Sequence, residues 1–343
     1  MSKKVTIAEV AKEAGVSIAT VSRVLNRRKG KIQISEETKQ TVQHAAKRLG
    51  YHPDPFASAL RTRRSGLFGA IIRDLRDPFL IKVFIKMQEA ACAEGIELLL
   101  GHANFDIATA GRQASIMSGL WFDGLILLGD IPGDLEVMRQ LQESSKSYVA
   151  VACGARDDLP SINLDEEKGT ILSLDYLYSL GHRRIACLGD PNMLGIKERI
   201  NCFQEYARAK NLILEEGYIR TCFNNQLQAS RCASELMKLS NPPTAIFCGT
   251  DLIAHGVINQ LHRAGRQVPR DFSVIGFDDI EIDQEVFPTL TTIRQPAEEI
   301  ARQAISIILQ MRDGLIEDPA ATNVLIEPEL VVRESCRAVG EDG

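Results

Sequence analysis

The chain has 343 residues, 45% hydrophobic and 25% charged, with a formal net charge of −5. These are ordinary globular proportions that exclude a disordered or fibrous chain, and the length implies more than one domain. No apolar run approaches the ~18–20 residues that span a bilayer, so no membrane partner is expected.

The average charge hides a split. Residues 1–65 hold 14 Lys and Arg against 5 Asp and Glu, a net of +9, and residues 66–343 hold 26 against 40, a net of −14. A basic head on an acidic body is the asymmetry of a nucleic-acid-binding segment joined to something else. Met1-Ser2-Lys3-Lys4 leads directly into a polar helical pattern without a signal peptide's apolar core. The eight cysteines (92, 153, 187, 202, 222, 232, 248, 336) are scattered without a Cys-x-x-Cys pair and read as free thiols in a reducing cytosol.

From the N-terminus, Thr6-Ile7-Ala8-Glu9 reads as a capping box, with Val5 and Val10 at the staple positions. Ile7, Val10, Ala11 and Ala14 follow helical spacing, and Gly15 supplies the left-handed stop. Ser17 caps a second helix of about Ile18–Leu25 that buries Val21, Val24 and Leu25. Two short helices across a glycine turn make a helix-turn-helix. The second helix leaves Ile18, Ala19, Thr20, Ser22 and Arg23 outside, a small polar face that fits a major groove. Arg23 is placed to read a guanine edge, Ile18 and Ala19 to touch thymine methyls, and Ser17, Thr20, Ser22 and Asn26 to hold phosphates. A third helix runs from cap Ser35 to Gly50 after the basic loop Arg27-Arg28-Lys29-Gly30-Lys31. Next, Asp54-Pro55 opens a helix of about two turns, too short to be stable alone. Leu60 followed by Arg61, Arg63 and Arg64 suits a minor-groove wedge with cations for phosphates, or equally an interdomain linker.

These residues carry a resemblance. Thr6-Ile7-x-x-Val10-Ala11-x-x-Ala14-Gly15-Val16-Ser17-x-x-Thr20-Val21-Ser22-Arg23-Val24-Leu25-Asn26 closely resembles the DNA-binding head of the LacI/GalR bacterial transcriptional regulators. Leu49-Gly50-Tyr51-x-Pro53-x-x-x-Ala57-x-x-Leu60-Arg61 resembles their hinge helix. The resemblance implies a homodimer on a palindromic operator, with paired hinge helices in the minor groove and Leu60 as the wedge. It adds Thr6, Tyr51, Ala57 and Arg61 to the DNA-contacting set. The stretch Arg27–Ile34 is longer than usual for the family.

From Gly66 short apolar strands alternate with helices: strands at Leu67–Ile72, Ile96–Leu100, Gly124–Leu128, Tyr148–Ala152, Arg184–Leu188, Thr244–Cys248 and Ser273–Phe277, and a helix over Pro78–Ala93. This alternation implies doubly wound parallel sheets, in two similar halves with the second starting near Arg184. Ligands bind such sheets at the carboxyl ends of the strands. Those ends read Arg73-Asp74, Asp130, Cys153-Gly154, Gly189-Asp190, Thr250-Asp251 and Asp278-Asp279. Carboxylates facing a cleft suit a polyhydroxylated ligand, with an aromatic such as Phe79 against its apolar face.

Asp77-Pro78-Phe79, Gly181-His182-Arg183-Arg184, Thr250-Asp251, Val274-Ile275-Gly276-Phe277-Asp278-Asp279 and Pro288-x-Leu290-Thr291-Thr292-Ile293-Arg294-Gln295-Pro296 look like the same family's effector core. The resemblance implies a periplasmic-binding-protein type I-like body of two subdomains joined by three crossovers. It assigns effector contacts to Asp77, Phe79, Asp165, Arg199, Asp251 and Asp278. Two positions depart from the family pattern: Cys202 in Arg199-Ile200-Asn201-Cys202-Phe203, and Thr250 before Asp251.

The expected organisation is a small all-α helix-turn-helix domain over 1–52, a hinge and linker over 53–65, and a core over 66–343. Within the core, subdomain 1 covers about 66–161 plus 293–321, and subdomain 2 about 162–292 plus 322–336. No nucleotide loop, zinc motif or nucleophile elbow is present, so neither a catalytic site nor a cofactor is expected. His182 reads as structural, and Trp121 beside Phe122 as packing.

The expectation is therefore a cytoplasmic, nucleoid-associated regulator, a repressor whose partners are double-stranded operator DNA, a small effector and its own second copy. The carboxylates favour a sugar or sugar derivative; a nucleobase or a phosphoprotein co-repressor is the alternative. A transport-type solute-binding protein, or an enzyme with an appended head, are the rivals from other classes. After Ser335 too few residues remain for a tetramerising coil, so a dimer is expected.

Overall fold

The computed structural model describes residues 5–25, 34–51, 64–119, 122–131, 147–154, 159–319 and 321–340. The expected hinge helix and Trp121 lie outside these. The chain divides into a unit over Met1–Ser65 and a unit over Gly66–Gly343.

In the head, α1 (Ile7–Ala14), α2 (Ile18–Leu25) and α3 (Glu36–Leu49) start and stop where their local chemistry dictates. The Thr6 hydroxyl accepts from the Glu9 amide, and the Glu9 carboxylate takes the Thr6 amide at 2.7 Å. Gly15, at φ 64°, closes α1 with its N–H on the carbonyls of Ala11 and Lys12. The Ser17 hydroxyl accepts from the Thr20 amide at 3.1 Å, and Ser35 caps α3 in the same way. Val10, Ala11, Val21, Val24, Val42, Ala45 and Ala46 form the core.

The body begins with β1 (Leu67–Ile72), α4 (Pro78–Ala93), β2 (Glu97–His102), α5 (Ile107–Gly119), β3 (Gly124–Leu128), β4 (Ser147–Val151) and β5 (Ser161–Leu164). It continues through α6 (Glu166–Ser179), β6 (Ile185–Gly189), α7 (Leu194–Ala209), β7 (Ile219–Thr221), α8 (Gln226–Leu236), β8 (Ala245–Cys248), α9 (Asp251–Arg263) and β9 (Ser273–Ile275). A 3₁₀ turn (Glu281–Gln284), β10 (Thr292–Arg294), α10 (Ala297–Arg312), β11 (Asn323–Ile326) and β12 (Glu329–Val331) complete it.

Two parallel sheets result. The first has the order β11-β5-β4-β3-β1-β2 and the second β7-β6-β8-β9, with β10 and β12 as an antiparallel ribbon bridged to β9. Strand order reverses between β1 and β3 in one sheet and between β6 and β8 in the other. Ligands of doubly wound sheets bind at such switch points.

Pairing corrects the expected subdomain limits. β5 and β11 are both hydrogen-bonded into the first sheet, Ser161 opposite Asn323. The crossovers therefore fall after Leu164 and after Ile326, rather than at 161/162 and 321/322. The third falls between β10 and α10, because α10 packs on α4 and β4 of the first lobe.

His182 is structural, as its turn implied. It is 3% exposed, with Nδ1 2.9 Å from the Thr244 hydroxyl and Nε2 3.0 Å from the Ser273 hydroxyl, tying the β6 approach to the starts of β8 and β9. Burial holds its imidazole below the ordinary value of 6.5. The unfolded chain then takes up a proton below about pH 6.5 that the folded body refuses, so stability falls as the medium acidifies. Urea titrations at pH 5 and pH 7 should show His182→Gln with a shallower acid loss than wild type, by up to about 1.4 kcal/mol per pH unit. Equal acid slopes in the two proteins would contradict this.

Candidate functional site

In the head, α2 turns Val21 and Val24 inward and leaves Ile18, 51% exposed, together with Ala19 and Arg23 on its free face. Thr20 and Ser22 are half-buried beside them. Thr6 and Ser17 are engaged as caps, and Tyr51 packs against the head's core, so these three also hold the fold together. Asn26, Ala57, Leu60 and Arg61 lie outside the described residues, as does the whole basic loop Arg27–Lys31.

In the body, residues following β1, β3, β6, β8 and β9 meet across a cleft between the lobes. Asp77, Phe79, Arg199 and Asp278 line one inner cavity of about 50 Å³, together with Arg73, Asp130, Glu166, Thr250 and Gln295. The cavity is small because its charges are paired with each other. Arg73 donates to Asp130 at 2.5 Å and to Asp77 at 2.6 Å, all three buried. Arg199 donates through Nε and Nη2 to the two oxygens of Glu166, at 2.6 and 3.1 Å, and through Nη1 to the Gly249 carbonyl. Its guanidinium stacks 3.5 Å from the Phe277 ring centroid. Gly195 leaves room for this clamp: a Cβ would lie 2.6 Å from Glu166 Oε1 and push the carboxylate aside.

One side of Asp77 caps α4 through the amides of Phe79 and Leu80, leaving the other for Arg73. Asp278, 6% exposed, accepts from Gln295 at 2.6 Å and lies 4.0 Å from Arg199. It holds φ at 133°, a left-handed conformation rare for a side-chain-bearing residue and typical of sites the surroundings over-determine. Burial, with Asp251 close by, pushes its carboxyl well above the usual range despite Arg199.

Two of the expected effector residues do not reach this cavity. Asp165 caps α6, its carboxylate taken by the Lys168 amide at 2.9 Å, and Glu166 faces the cavity in its place. Asp251 is fully buried behind the wall, accepting from the Thr292 hydroxyl at 2.5 Å and the Ile280 amide at 3.2 Å. Burial, then the Asp283 carboxylate, raises its carboxyl well above the usual range. The family departures separate too. Cys202 lines neither cavity and directs its thiol at the Glu167 carbonyl, whereas Thr250 lies on the inner wall and donates to Asn224 at 2.7 Å.

An outer cavity of about 370 Å³ adjoins the inner one through Asp130 and Met193. Phe105 of the first lobe and Phe223 of the second, 41% and 52% exposed, stand on its walls with Asp74, Asp190, Asn192 and Asn225. Among the described residues, bonds cross between the lobes. Asp130 accepts from the Leu194 amide at 2.8 Å, capping α7, which has no side-chain cap of its own, and Lys82 donates to the Asp279 carbonyl.

Comparison with known proteins fits both units. Residues 6–54 match the family model for bacterial regulatory proteins of the lacI family, and residues 174–336 that for a periplasmic binding protein-like domain. The HTH-type transcriptional repressor CytR of Escherichia coli (strain K12) is 31% identical over 340 residues, covering 97% of each chain. The chain belongs to the LacI family. In the solved structures, the lac repressor dimer bound to operator and the anti-inducer ONPF has this fold, with a TM-score of 0.83 at 24% identity over 98% of this chain and 100% of that one. The transcriptional regulator CelR-cellobiose complex superposes with a TM-score of 0.71 at 26% identity over 97% and 100%. This LacI-family protein is a DNA-binding transcriptional regulator controlled by small effectors. No described helix is long and apolar enough to cross a membrane.

Arg73, Asp130, Glu166 and Gln295 of the inner cavity, with Phe105 and Phe223 of the outer one, are cleft residues that sequence reasoning did not assign. Arg73 and Asp130 were visible as strand ends and Gln295 within a family motif. Only the fold shows that they converge.

Proposed function

We infer that this regulator is a non-enzymatic repressor that binds a palindromic operator as a homodimer and releases or tightens on it when a sugar-like effector occupies the interlobe cleft. The reading rests chiefly on one observation: the carboxyl ends of both sheets meet at their switch points over buried carboxylates and arginines, beside a cavity of about 370 Å³. Hydroxyls can donate to Asp74, Asp130 and Asp190, and amides on the second lobe can both donate and accept. The Phe105 and Phe223 rings supply apolar faces for a pyranose. The Nε–H of Arg73 is buried without a partner, a donor ready for a ligand oxygen. That a similar regulator was solved with cellobiose supports a sugar. The proposed DNA contacts are Ile18, Ala19 and Arg23 on the exposed face of α2, with Ser17, Thr20 and Ser22 beside it.

A thermal-shift panel of sugars, sugar phosphates, nucleosides and purines tests the ligand class. A single sugar at a hundred times its Kd should stabilise the body by about 2.7 kcal/mol, a shift of several degrees. Shifts with purines or nucleosides alone would overturn the sugar assignment.

A further inference from the structure

One bond between the lobes lies outside both cleft cavities. Lys82 of α4, in the first lobe, donates from Nζ to the Asp279 carbonyl of the second at 2.6 Å. Among the described residues its ammonium has no carboxylate partner. With Ile81, Ile85, Ile280 and Ile282 it lines a separate cavity of about 410 Å³, and such apolar surroundings strengthen a charge-assisted bond.

The residue that offers this carbonyl is held by its own side chain. Asp279, 4% exposed, has φ 57° and Asp278 before it 133°, consecutive left-handed residues of a kind that persists only where the surroundings fix it. The Asp279 carboxylate accepts from Arg294 Nε at 2.7 Å and from Arg333 Nη2 at 2.5 Å. Against the effect of burial, these two arginines hold its carboxyl below the usual range. Arg294 ends β10, at the third crossover, and Arg333 follows β12, the strand that the second crossover enters. Arg333 is fixed in turn, donating to the Leu290 carbonyl at 2.7 Å and, through its amide, to the Thr291 hydroxyl at 2.9 Å.

We propose that Lys82 and the Asp279 carbonyl form the latch that sets the closure of the two lobes, with Asp279 as its positioning residue.

The placement determines what the latch can sense. Lys82 stands on the helix that Asp77 caps, and Asp279 directly follows Asp278, so each half of the latch is joined to a carboxylate of the inner cavity. A group that enters between Asp77 and Asp278 and parts them draws Lys82 off the carbonyl. Arg294 and Arg333 keep Asp279 fixed to the second lobe, so the strain falls on the Lys82 bond and is not absorbed by the backbone at 278–279. The bond from the Leu194 amide differs, because Asp130 accepts it inside the cleft, where an occupant competes with it directly.

That the occupant is an effector rests on the function proposed above, whereas the latch does not. The test measures lobe closure in the full chain without any ligand. Spin labels on non-natural residues at positions 310 and 238, exposed on α10 and after α8, report the interlobe distance by pulsed electron resonance, with labelled chain diluted in unlabelled chain. Loss of the charge-assisted bond in Lys82→Met should raise the open population about tenfold, seen as a longer and broader distance. Asp279→Asn should match it, and the double variant should go no further than either alone. Lys82→Arg keeps a donor and should retain the wild-type distance, as should Arg302→Gln, which breaks an exposed ion pair on α10. Where Asp279→Asn fails to fold, Arg294→Gln tests the same carboxylate from a side chain that is 42% exposed. An unchanged distance in Lys82→Met would overturn the latch. Widening there but in neither Asp279→Asn nor Arg294→Gln would overturn the part given to Asp279. Equal widening in Arg302→Gln would mean general loosening and would overturn both. A sugar panel without a hit leaves these readouts intact, so the two failures are distinguishable.

Discussion

Arg199→Ala should abolish the effector response and lower the stability of the body by about 3–5 kcal/mol, the cost of leaving buried charge without its partner. The geometry explains the size. Arg199 is 4% exposed, and its removal strands the Glu166 carboxylate that it clamps through two bonds, and leaves Asp278 facing other carboxylates. Denaturant unfolding of the variant measures the first effect, and operator binding at saturating effector the second. The two are separable. Arg199→Met combined with Glu166→Leu removes both charges and should recover most of the lost stability, since a buried pair replaced by apolar groups is often neutral. The response should stay lost. A double variant that still answers the effector would show that Arg199 serves only the fold. Asp251→Ala should differ: with Asp251 behind the wall and bonded to Thr292 and Ile280, its loss acts on folding before ligand affinity.

The second large effect is expected in the head. Arg23→Ala should weaken operator binding by about 1–3 kcal/mol, roughly 5- to 150-fold, and erase preference at one base pair in each half-site. Arg23 is exposed on the free face of α2, with Val21 and Val24 buried beneath, and we propose that its guanidinium reads a guanine edge. Anisotropy titrations against the operator, single-base variants and random DNA distinguish base reading from phosphate contact. Affinity that falls equally on every sequence would reassign Arg23 to the backbone.

What could be read from sequence follows a physical division. The head's helices were legible because their ends are set by residues beside them: Thr6 with Glu9, Gly15, Ser17, Ser35 and Gly50 each act within a few positions. The main strands were legible as apolar runs. β5, β7, β10, β11 and β12 were not, because each is three or four residues held by distant partners, as Ser161 is by Asn323. That blindness displaced the expected crossovers.

The site divides in the same way. Asp77, Phe79, Arg199 and Asp278 converge as their motifs implied. Asp165 and Glu166 are adjacent carboxylates, and which one caps the helix and which faces the cavity is decided by backbone direction. Asp251 sits beside Thr250, which reaches the cavity wall, yet turns its own carboxylate toward Thr292. Single-position composition carries neither distinction. The charge split also gains a physical location: the +9 head holds the exposed recognition helix, and its affinity should fall steeply with salt, while the −14 body holds the carboxylate cleft.

We propose above that occupation of the cleft is linked to operator affinity. The direct measurement is an anisotropy titration of labelled operator at fixed salt, across increasing concentrations of the sugar giving the largest thermal shift. Operator affinity should change saturably by about 5- to 150-fold, with a midpoint matching that sugar's own binding, and the change should vanish in Arg199→Met/Glu166→Leu. Saturation of the cleft with operator affinity unaltered would contradict the account.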